Sequence, residues 1–295
     1  MKRHIIVGIG EILWDVFPDG PRFGGAPSNF ACSTAELAQD TADVFMVSSV
    51  GKDDLGQRAF ESLQGHGVHA TCVQIAEQQT GQVLVELDAV GVASYRFAEN
   101  AAWDNLTWND ALERRTHDCH AVCFGTLGQR SASSRNVIQD FVRATSEDTF
   151  RILDVNLRAP FIDDEVILQS LALANVLKLN DEELSRLARL CRVDGTDVEI
   201  LRQLAEQFQL QCVALTRGPD GAIILQGDDV SDMAGVPVDV VDTVGAGDAF
   251  TAAMTLGLLA GRSSEHINQS AIAAASYVCS QSGATPKFPP SLVGH

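Results

Sequence analysis

Short apolar runs alternate with longer amphipathic segments along most of the chain. The apolar runs have the length and composition of buried strands, and the amphipathic segments repeat apolar residues at helical spacing. The predicted strands are 5–9, 44–50, 121–124, 151–155, 176–179, 212–216 and 222–226, and the predicted helices are 29–39, 55–66, 133–144, 166–174, 181–190, 197–208, 246–260 and 265–280. This alternation predicts a mostly parallel α/β sheet with helices on both faces.

One stretch departs from this rhythm. Residues 81–100 alternate apolar and polar positions around turn-forming residues 89–91, which is typical of a β-hairpin with one polar face. Residues 15–23 are also short, turn-rich and non-helical. We expect the two pieces to form a small sheet that projects from a single domain spanning 1–295, with the projection covering about 12–24 and 81–103.

Composition and net charge exclude some classes of binding partner. The chain has 295 residues, 45% hydrophobic, and a formal net charge of −18 at pH 7. Such a charge repels nucleic-acid phosphates and anionic membrane surfaces but leaves room for a small anion bound by local N–H groups. The apolar runs are too short to span a bilayer, and the N-terminus is interpreted as a first strand and not a signal peptide. We therefore expect no nucleic-acid partner and no membrane association.

The seven cysteines are scattered and include no CxxC pair. Cys119 and Cys123 flank His120, which permits two interpretations. The favoured one is a pair of half-buried thiols at the entry of a strand, and the other is a metal site. Reduced thiols indicate a cytoplasmic protein.

The most informative segment is VDVVDTVGAGDAF, residues 238–250. A strand-like run reaches Asp242, Gly245–Gly247 make a tight turn, and Asp248 opens an apolar helix. Backbone N–H groups of such a turn, together with the helix N-terminus, form an anion hole that needs no Lys or Arg. Three interpretations compete: a dinucleotide fingerprint, which lacks its third glycine at Phe250; a helix cap; and a phosphoryl-transfer site in which Asp248 accepts the proton of an attacking hydroxyl.

The turn DTVGAGDAF resembles the C-terminal signature of the ribokinase-like, phosphofructokinase-B-type carbohydrate kinases, most closely the fructokinases. Five further segments resemble that family's motifs in the family's order: 24–31, 50–56, 154–158, 180–183 and 216–221. The resemblance runs from about Gly10 to Gly283. It implies a three-layer α/β/α fold with a small β-sheet lid, transfer of the γ-phosphoryl group of ATP to a sugar, and a requirement for Mg²⁺.

The resemblance also assigns a sugar site. It implies that the sugar is held by Asp15, Gly24, Gly25, Asn29, Phe97 and Arg158. Tyr95 and Phe97 alternate with Arg96 on the hairpin, so they are expected to close over the sugar. The alternatives are an exposed turn for Asp15, a helix capped by Ser28, a surface ion pair for Arg158, and hairpin or dimer packing for the aromatic residues.

Catalytic and nucleotide roles follow in the same way. The resemblance implies that Asp248 is the base, that the amides of Gly245, Ala246, Gly247 and Asp248 hold the migrating charge, and that ATP contacts Asn180, Thr216, Gly218, Gly221 and Gly247, with adenine near 272–283. Asn180 and Glu183 would organise Mg²⁺ largely through water, or form a capping box, or do both. Asp242 is a candidate ligand for K⁺. Lys287 makes K⁺ dependence doubtful, because its ammonium either fills that site or points into solvent.

Other functions stay open. A 2-keto-3-deoxygluconate kinase would need a cationic patch, for which Arg22 and Arg96 join Arg158. A purine-nucleoside kinase and, from a different class, a non-catalytic sugar-binding regulator are further alternatives. Lids of such relatives often pair edge to edge, so a homodimer is expected.

Overall fold

The computed structural model describes residues 3–87 and 93–294, with the backbone alone for 85–87 and 93–95. The predicted turn at 89–91 lies outside the described residues. The strands are β1 His4–Ile9, β2 Leu13–Phe17, β3 Gly20–Gly24, β4 Ala42–Gly51, β5 His69–Ala76, β6 Gly81–Leu87, β7 Ala93–Phe97, β8 Ala121–Phe124, β9 Phe150–Asp154, β10 Val176–Asn180, β11 Cys212–Thr216, β12 Ala222–Gln226 and β13 Asp229–Met233. The helices are α1 Ala26–Ala38, α2 Asp54–Gly65, α3 Asp110–Asp118, α4 Ala132–Ala144, α5 Asp164–Leu173, α6 Asp181–Cys191, α7 Asp197–Phe208, α8 Ala246–Leu259 and α9 Ser264–Cys279.

The large sheet is mostly parallel, as predicted. Its order is β13-β12-β11-β10-β9-β8-β1-β4-β5, and only β12 and β13 run antiparallel to their neighbours. From β1 the chain continues to β4 on one side, whereas β8 pairs with β1 on the other. This switch in direction opens a crevice at the carboxyl ends of the central strands, where ligands of open α/β sheets bind.

Two apolar cores cover the faces of this sheet and make the predicted three layers. One core joins the sheet to α1, α2, α8 and α9, with Phe30 and Phe250 among its buried side chains. The other joins it to α3–α7, with Phe124 and Phe141. The strands are apolar nearly throughout because both faces of a parallel sheet are buried.

The predicted small sheet is present beside the carboxyl edge of the large sheet. Its order is β3-β2-β6-β7; β2 and β6 are parallel and the outer pairs are antiparallel. A third apolar cluster, which includes Leu13, Val83, Trp103 and Leu127, attaches this lid to the body. The lid therefore overhangs the crevice at the switch in strand direction.

Some elements differ from the prediction. Strands β5 and β13 and helix α3 were not predicted, because β13 and α3 are largely polar and β5 mixes apolar and polar residues at an edge of the sheet. The predicted strand-like run 238–242 is wrong: the segment is irregular, and the N–H groups of Val241 and Asp242 both donate to the carbonyl of Cys279. Val240, Val241 and Val244 are exposed, so burial in a sheet does not account for this apolar sequence.

The cysteines are free thiols. Cys119 and Cys123 are fully rather than half buried, and His120 Nδ1 accepts a hydrogen bond from the N–H of Ile5 at 3.0 Å. In the described ranges no group of three or more His, Cys, Asp or Glu side chains is arranged to hold a metal, so the metal interpretation of 119–123 lacks support. In the same described ranges, no helix is long and apolar enough to cross a membrane.

Candidate active site

Motif residues meet along the carboxyl edge of the large sheet. Asp15 lies in lid strand β2, the element after β1, while Arg158 follows β9, Asn180 ends β10 and Thr216 ends β11. Strands β10 and β11 pair in parallel with Asn180 opposite Thr216, so these two motifs are neighbours. Because parallel strands all end at the same edge, segments far apart in sequence line one crevice.

The glycine turn before α8 is open to a ligand. Gly245 is the N-cap in a left-handed conformation with φ of 81°, and no side chain caps the helix. Within the described part of the chain, the N–H groups of Gly247 and Asp248 have no backbone or side-chain acceptor, whereas Ala246 N–H donates to Thr243. Free N–H groups at the positive end of a helix suit an anion such as a phosphate.

Gly245 permits a close approach that another residue would prevent. A Cβ there would lie 2.2 Å from the carbonyl oxygen of Ala284. Asp242, just upstream, accepts hydrogen bonds from Val244 N–H at 3.0 Å and Gly283 N–H at 3.2 Å. The turn is therefore held against the loop that follows α9.

Asp248 contacts helix α1, which is far from it in sequence. Its Oδ2 accepts a hydrogen bond from Nδ2 of Asn29 on α1 at 2.9 Å. This bond joins the predicted catalytic base to a residue predicted to bind the sugar. The pKa of Asp248 is raised to about 6: burial of the carboxyl and the charge of Asp154 raise it, and the Asn29 bond, Lys178 and Arg158 partly offset this. A carboxylate with this pKa is ionised at pH 7 and is a stronger base than an ordinary aspartate.

The glycine pair before α1 shapes the sugar side. Gly25 is the N-cap with φ of 105°, and a Cβ there would lie 2.5 Å from the carbonyl oxygen of Glu11. A Cβ on Gly24 would lie 2.9 Å from Oδ2 of Asp15, so these residues adjoin. The expected cap by Ser28 is wrong: Ser28 lies inside the first turn, and its hydroxyl donates to the Gly24 carbonyl at 2.8 Å.

Asp15 and Arg158 belong to the same electrostatic environment. Asp15 is half-buried on the lid, and burial raises its pKa to about 6, opposed by the charges of Arg158 and Arg22. Arg158 is exposed, and its positive charge also acts on Asp248 and Glu11. No acidic partner holds Arg158 among the residues that the structure describes, so the surface ion-pair alternative is not seen there.

Phe97 forms part of the lid base. Its ring packs edge-on against Phe161, with centroids 5.4 Å apart. Arg130 lies over the rings of Phe161 and Trp103 and forms a bidentate ion pair with Asp104. Phe97 thus packs against the loop after β9, and its contact with a sugar stays a prediction, whereas the side chain of Tyr95 lies outside the described part of the structure.

Asn180 and Glu183 form the capping box that the sequence allows. Asn180 Oδ1 accepts from Glu183 N–H, and Glu183 Oε2 accepts from Asn180 N–H, each at 2.9 Å. Glu183 Oε1 also accepts from the N–H of Leu157, in the loop after β9. Both carboxylate oxygens are thus engaged by backbone groups, which fits a metal held through water better than one held directly.

The remaining predicted nucleotide residues lie in the turn after β11. Thr216 ends that strand, Gly218 has φ of 54°, and Gly221 has φ of 89°, where a Cβ would lie 2.0 Å from the Met233 carbonyl oxygen.

Lys287 neither fills a cation site nor points freely into solvent. Its ammonium contacts the carboxylate of Glu36 and donates to the Gly65 carbonyl at 2.7 Å.

Two buried side chains of the site were missed. Glu11 follows β1 and is 2% exposed; burial raises its pKa to about 7, and its Oε2 has no hydrogen-bond partner among the described residues. Lys178 lies in β10, and a Cβ on Gly247 would be 3.0 Å from its Nζ. The expectation of an anion turn free of Lys is therefore wrong. A charged residue inside an apolar strand, as in VLKLN, is the signal that could have identified Lys178.

Comparison with known proteins agrees with this geometry. Residues 20–291 match the family model described as pfkB family carbohydrate kinase. The chain belongs to that family. It is 28% identical to a fructokinase of Escherichia coli over 263 residues, covering 85% of this chain and 83% of the relative.

Relatives of this family with other names also match. An ATP-dependent 6-phosphofructokinase of Thermoanaerobacterium thermosaccharolyticum is 26% identical over 281 residues, covering 88% of this chain and 83% of the relative. The crystal structure of an uncharacterised sugar kinase of Pyrococcus horikoshii in complex with ATP superposes with a TM-score of 0.79 at 26% identity, covering 95% of this chain and 94% of that one. The family and the ribokinase-like fold are thus shown, and the sugar is not.

Proposed function

We propose that this protein is an ATP-dependent kinase that phosphorylates a primary hydroxyl of a neutral sugar, with fructose as the first candidate. The observation that carries the proposal is the position of Asp248, hydrogen-bonded to Asn29 at 2.9 Å and adjacent to unpaired N–H groups at the start of α8. A base beside an anion site is the arrangement that phosphoryl transfer to an alcohol requires.

In the proposed reaction the sugar hydroxyl loses its proton to the Asp248 carboxylate. Its oxygen forms a bond to the γ-phosphorus, and the bond from that phosphorus to the bridging oxygen of ADP breaks. The N–H groups of Gly247 and Asp248, which have no acceptor in the described part of the chain, would stabilise the charge on the transferring group, whereas Ala246 N–H is engaged by the Thr243 carbonyl. Mg²⁺, when bound with the nucleotide, would neutralise phosphate charge, with Asn180 and Glu183 orienting its waters. The lid would exclude water that competes as nucleophile.

The nucleotide is proposed to lie along the turn after β11 and the apolar segment before α8. Thr216, Gly218 and Gly221 line that side. Val240 and Val241 are exposed, and Val241 N–H bonds the Cys279 carbonyl at 2.8 Å, next to the region 272–283 predicted for adenine. An aromatic base placed there would cover apolar surface that is otherwise open to water.

Charge in the crevice favours a neutral sugar over an acidic one. Three carboxyl groups, those of Glu11, Asp15 and Asp248, share the electrostatic influence of one exposed cation, Arg158. Arg22 pairs with Asp19 at the outer turn of the lid. Sugar hydroxyls can donate to carboxylates, whereas a sugar acid or sugar phosphate would add a like charge.

A coupled assay of ADP release tests the proposal. The panel is fructose, ribose, 2-keto-3-deoxygluconate, fructose 6-phosphate and a purine nucleoside. We expect the highest kcat/KM with fructose, and a value at least about tenfold lower for the two anions because of like-charge repulsion. A preference for an anionic substrate would contradict the neutral-sugar assignment, and no ADP release with any member would favour a non-catalytic sugar-binding protein. Dimerisation through the lid and a cytoplasmic location stay predictions, and Asp242 stays a candidate ligand for K⁺.

A further inference from the structure

A buried lysine lies beneath the glycine turn that precedes the candidate base. Lys178 points from β10, two residues before that strand ends, and only 6% of the residue is exposed. Its Nζ donates to Oδ1 of Asp154, at the end of the neighbouring strand β9, at 3.1 Å. An ammonium group has three donors, so this bond leaves further N–H groups for other acceptors.

The same aspartate connects the lysine to α8. Asp154 Oδ2 accepts a hydrogen bond from the Thr251 hydroxyl at 2.8 Å, and that hydroxyl also lies 3.0 Å from the Gly247 carbonyl oxygen. Thr251 is one helical turn after Gly247. The chain Lys178–Asp154–Thr251 therefore ties the first turn of α8 to the carboxyl edge of the sheet.

The ammonium also lies close to the turn itself. A Cβ on Gly247 would be 3.0 Å from Lys178 Nζ, which is a tight approach. Glycine at 247 therefore lets the turn lie directly over the lysine without crowding it.

The charges facing Asp248 come from four elements or their adjoining loops. Asp154 and Glu11 are carboxyl groups near it, and Arg158 and Lys178 are the cations. Burial lowers the pKa of Lys178, but Asp154, Glu183 and Asp248 more than offset this and raise it, so the lysine stays charged. Removal of that charge would leave an excess of buried negative charge where a phosphate must arrive.

We propose that Lys178 is a positioning residue for phosphoryl transfer, whose ammonium balances Asp154 and Asp248 and holds the glycine turn of α8 in place through Asp154 and Thr251. The inference rests on the proposed role of Asp248 as the base. It concerns a residue outside every segment that carries the family resemblance.

Lys178→Met tests it, because methionine has similar length and no charge. We expect kcat to fall about 10- to 100-fold with the KM values for sugar and ATP changing less than about threefold, and the acidic limb of the kcat–pH profile to move to higher pH. Thr251→Val is the matched control: it removes the bond to Asp154 but no charge, so kcat should fall by only a few-fold and the limb should stay. A folded Lys178→Met variant with kcat within threefold of wild type and an unmoved limb would overturn the proposal.

The double variant Lys178→Met with Asp154→Asn guards against loss of folding, since both partners of the buried pair become neutral. We expect it to recover the melting temperature but not kcat. Recovery of wild-type kcat along with stability would show that Lys178 only pairs Asp154, and the proposal would fail. Asp248→Asn distinguishes a failure of the proposed function from a failure of this inference. If that variant stays active, the proposed function fails. If it is inactive while Lys178→Met is normal, only this inference fails.

Discussion

Two helices, α6 and α8, begin near the carboxyl end of β10, and their N-termini are built in opposite ways. The start of α6 is closed: Asn180 and Glu183 cap each other, and Glu183 also binds Leu157 N–H. The start of α8 is open: Gly245 offers no side-chain cap, and Gly247 and Asp248 keep unpaired N–H groups within the described ranges. The N–H groups at the start of α8 are therefore available to an anionic ligand, whereas those at the start of α6 are occupied by the capping box.

The largest effect is expected where the open terminus is closed sterically. Gly245→Ala would place a Cβ 2.2 Å from the Ala284 carbonyl oxygen at a φ of 81°, so the turn must move. We expect kcat/KM to fall by at least about 10³-fold as the N–H groups lose their alignment. Gly261→Ala is the control, with φ of 62° and no atom within 4 Å of the added Cβ. It should cost about 1 kcal/mol of stability and leave activity within twofold. Equal activity loss in both variants would contradict the comparison.

Asn29 allows a second test, because among the described residues it is the side chain hydrogen-bonded to the carboxylate of Asp248. Asn29→Asp would put a second carboxylate 2.9 Å from Oδ2 of Asp248. We expect kcat/KM at pH 7 to fall about 100-fold and the acidic limb to shift to higher pH, because two adjacent carboxylates resist double ionisation. Asn29→Ala adds no charge and should cost about tenfold. A larger loss in the alanine variant would show that charge is not the deciding factor.

The closed terminus should respond in stability more than in catalysis. Glu183→Gln weakens the acceptors for Asn180 and Leu157 N–H, and we expect the melting temperature to fall by about 2–4 °C, the effect of a weakened cap. The Mg²⁺ concentration for half-maximal rate should change less than about threefold if the metal is held through water. An unchanged melting temperature with a tenfold higher Mg²⁺ requirement would instead make this terminus a metal site.

Glu11 should have the smallest effect. Burial holds its pKa in the folded protein at about 7, above the ordinary value of 4.5. A raised carboxyl pKa stabilises the fold at low pH, and that stability is lost as the pH rises through 7. The wild-type melting temperature should therefore fall between pH 5 and pH 8. Glu11→Gln should reduce that fall by about 2–4 °C, with the exposed Glu113→Gln as control. An identical pH dependence in both variants would contradict the burial effect.

Local patterns in the sequence predicted most of the fold. The bounds of α7, β11 and β12 agree with the prediction to the residue, because their apolar periodicity is strong and they are buried. The edge strands β5 and β13 were missed because polar residues interrupt their apolar ones and only one residue of each, Cys72 and Ser231, is buried. The run 238–242 was wrongly predicted as a strand, since a stretch of valine has the same appearance whether it enters a sheet or lines a surface.

The residues of the site could be predicted only where they belong to a recognisable sequence motif. The pairing of Asn29 with Asp248 joins residues 219 positions apart, and the motifs indicated both without showing the contact. Lys178 lies inside an apolar strand, and Glu11 directly follows Gly10 after β1, so neither belongs to one of the motifs. Their roles depend on which strands become neighbours, and this is decided by the topology of the sheet.

The central claim is that Asp248 removes the proton from the sugar hydroxyl. Asp248→Asn keeps the shape and the bond capacity toward Asn29 but cannot accept that proton. We expect ADP release with the preferred sugar to fall at least about 10²-fold, while ATP binding, measured by calorimetry, stays within about threefold of wild type. Turnover near the wild-type rate in this variant, with the protein folded and ATP bound, would contradict the account.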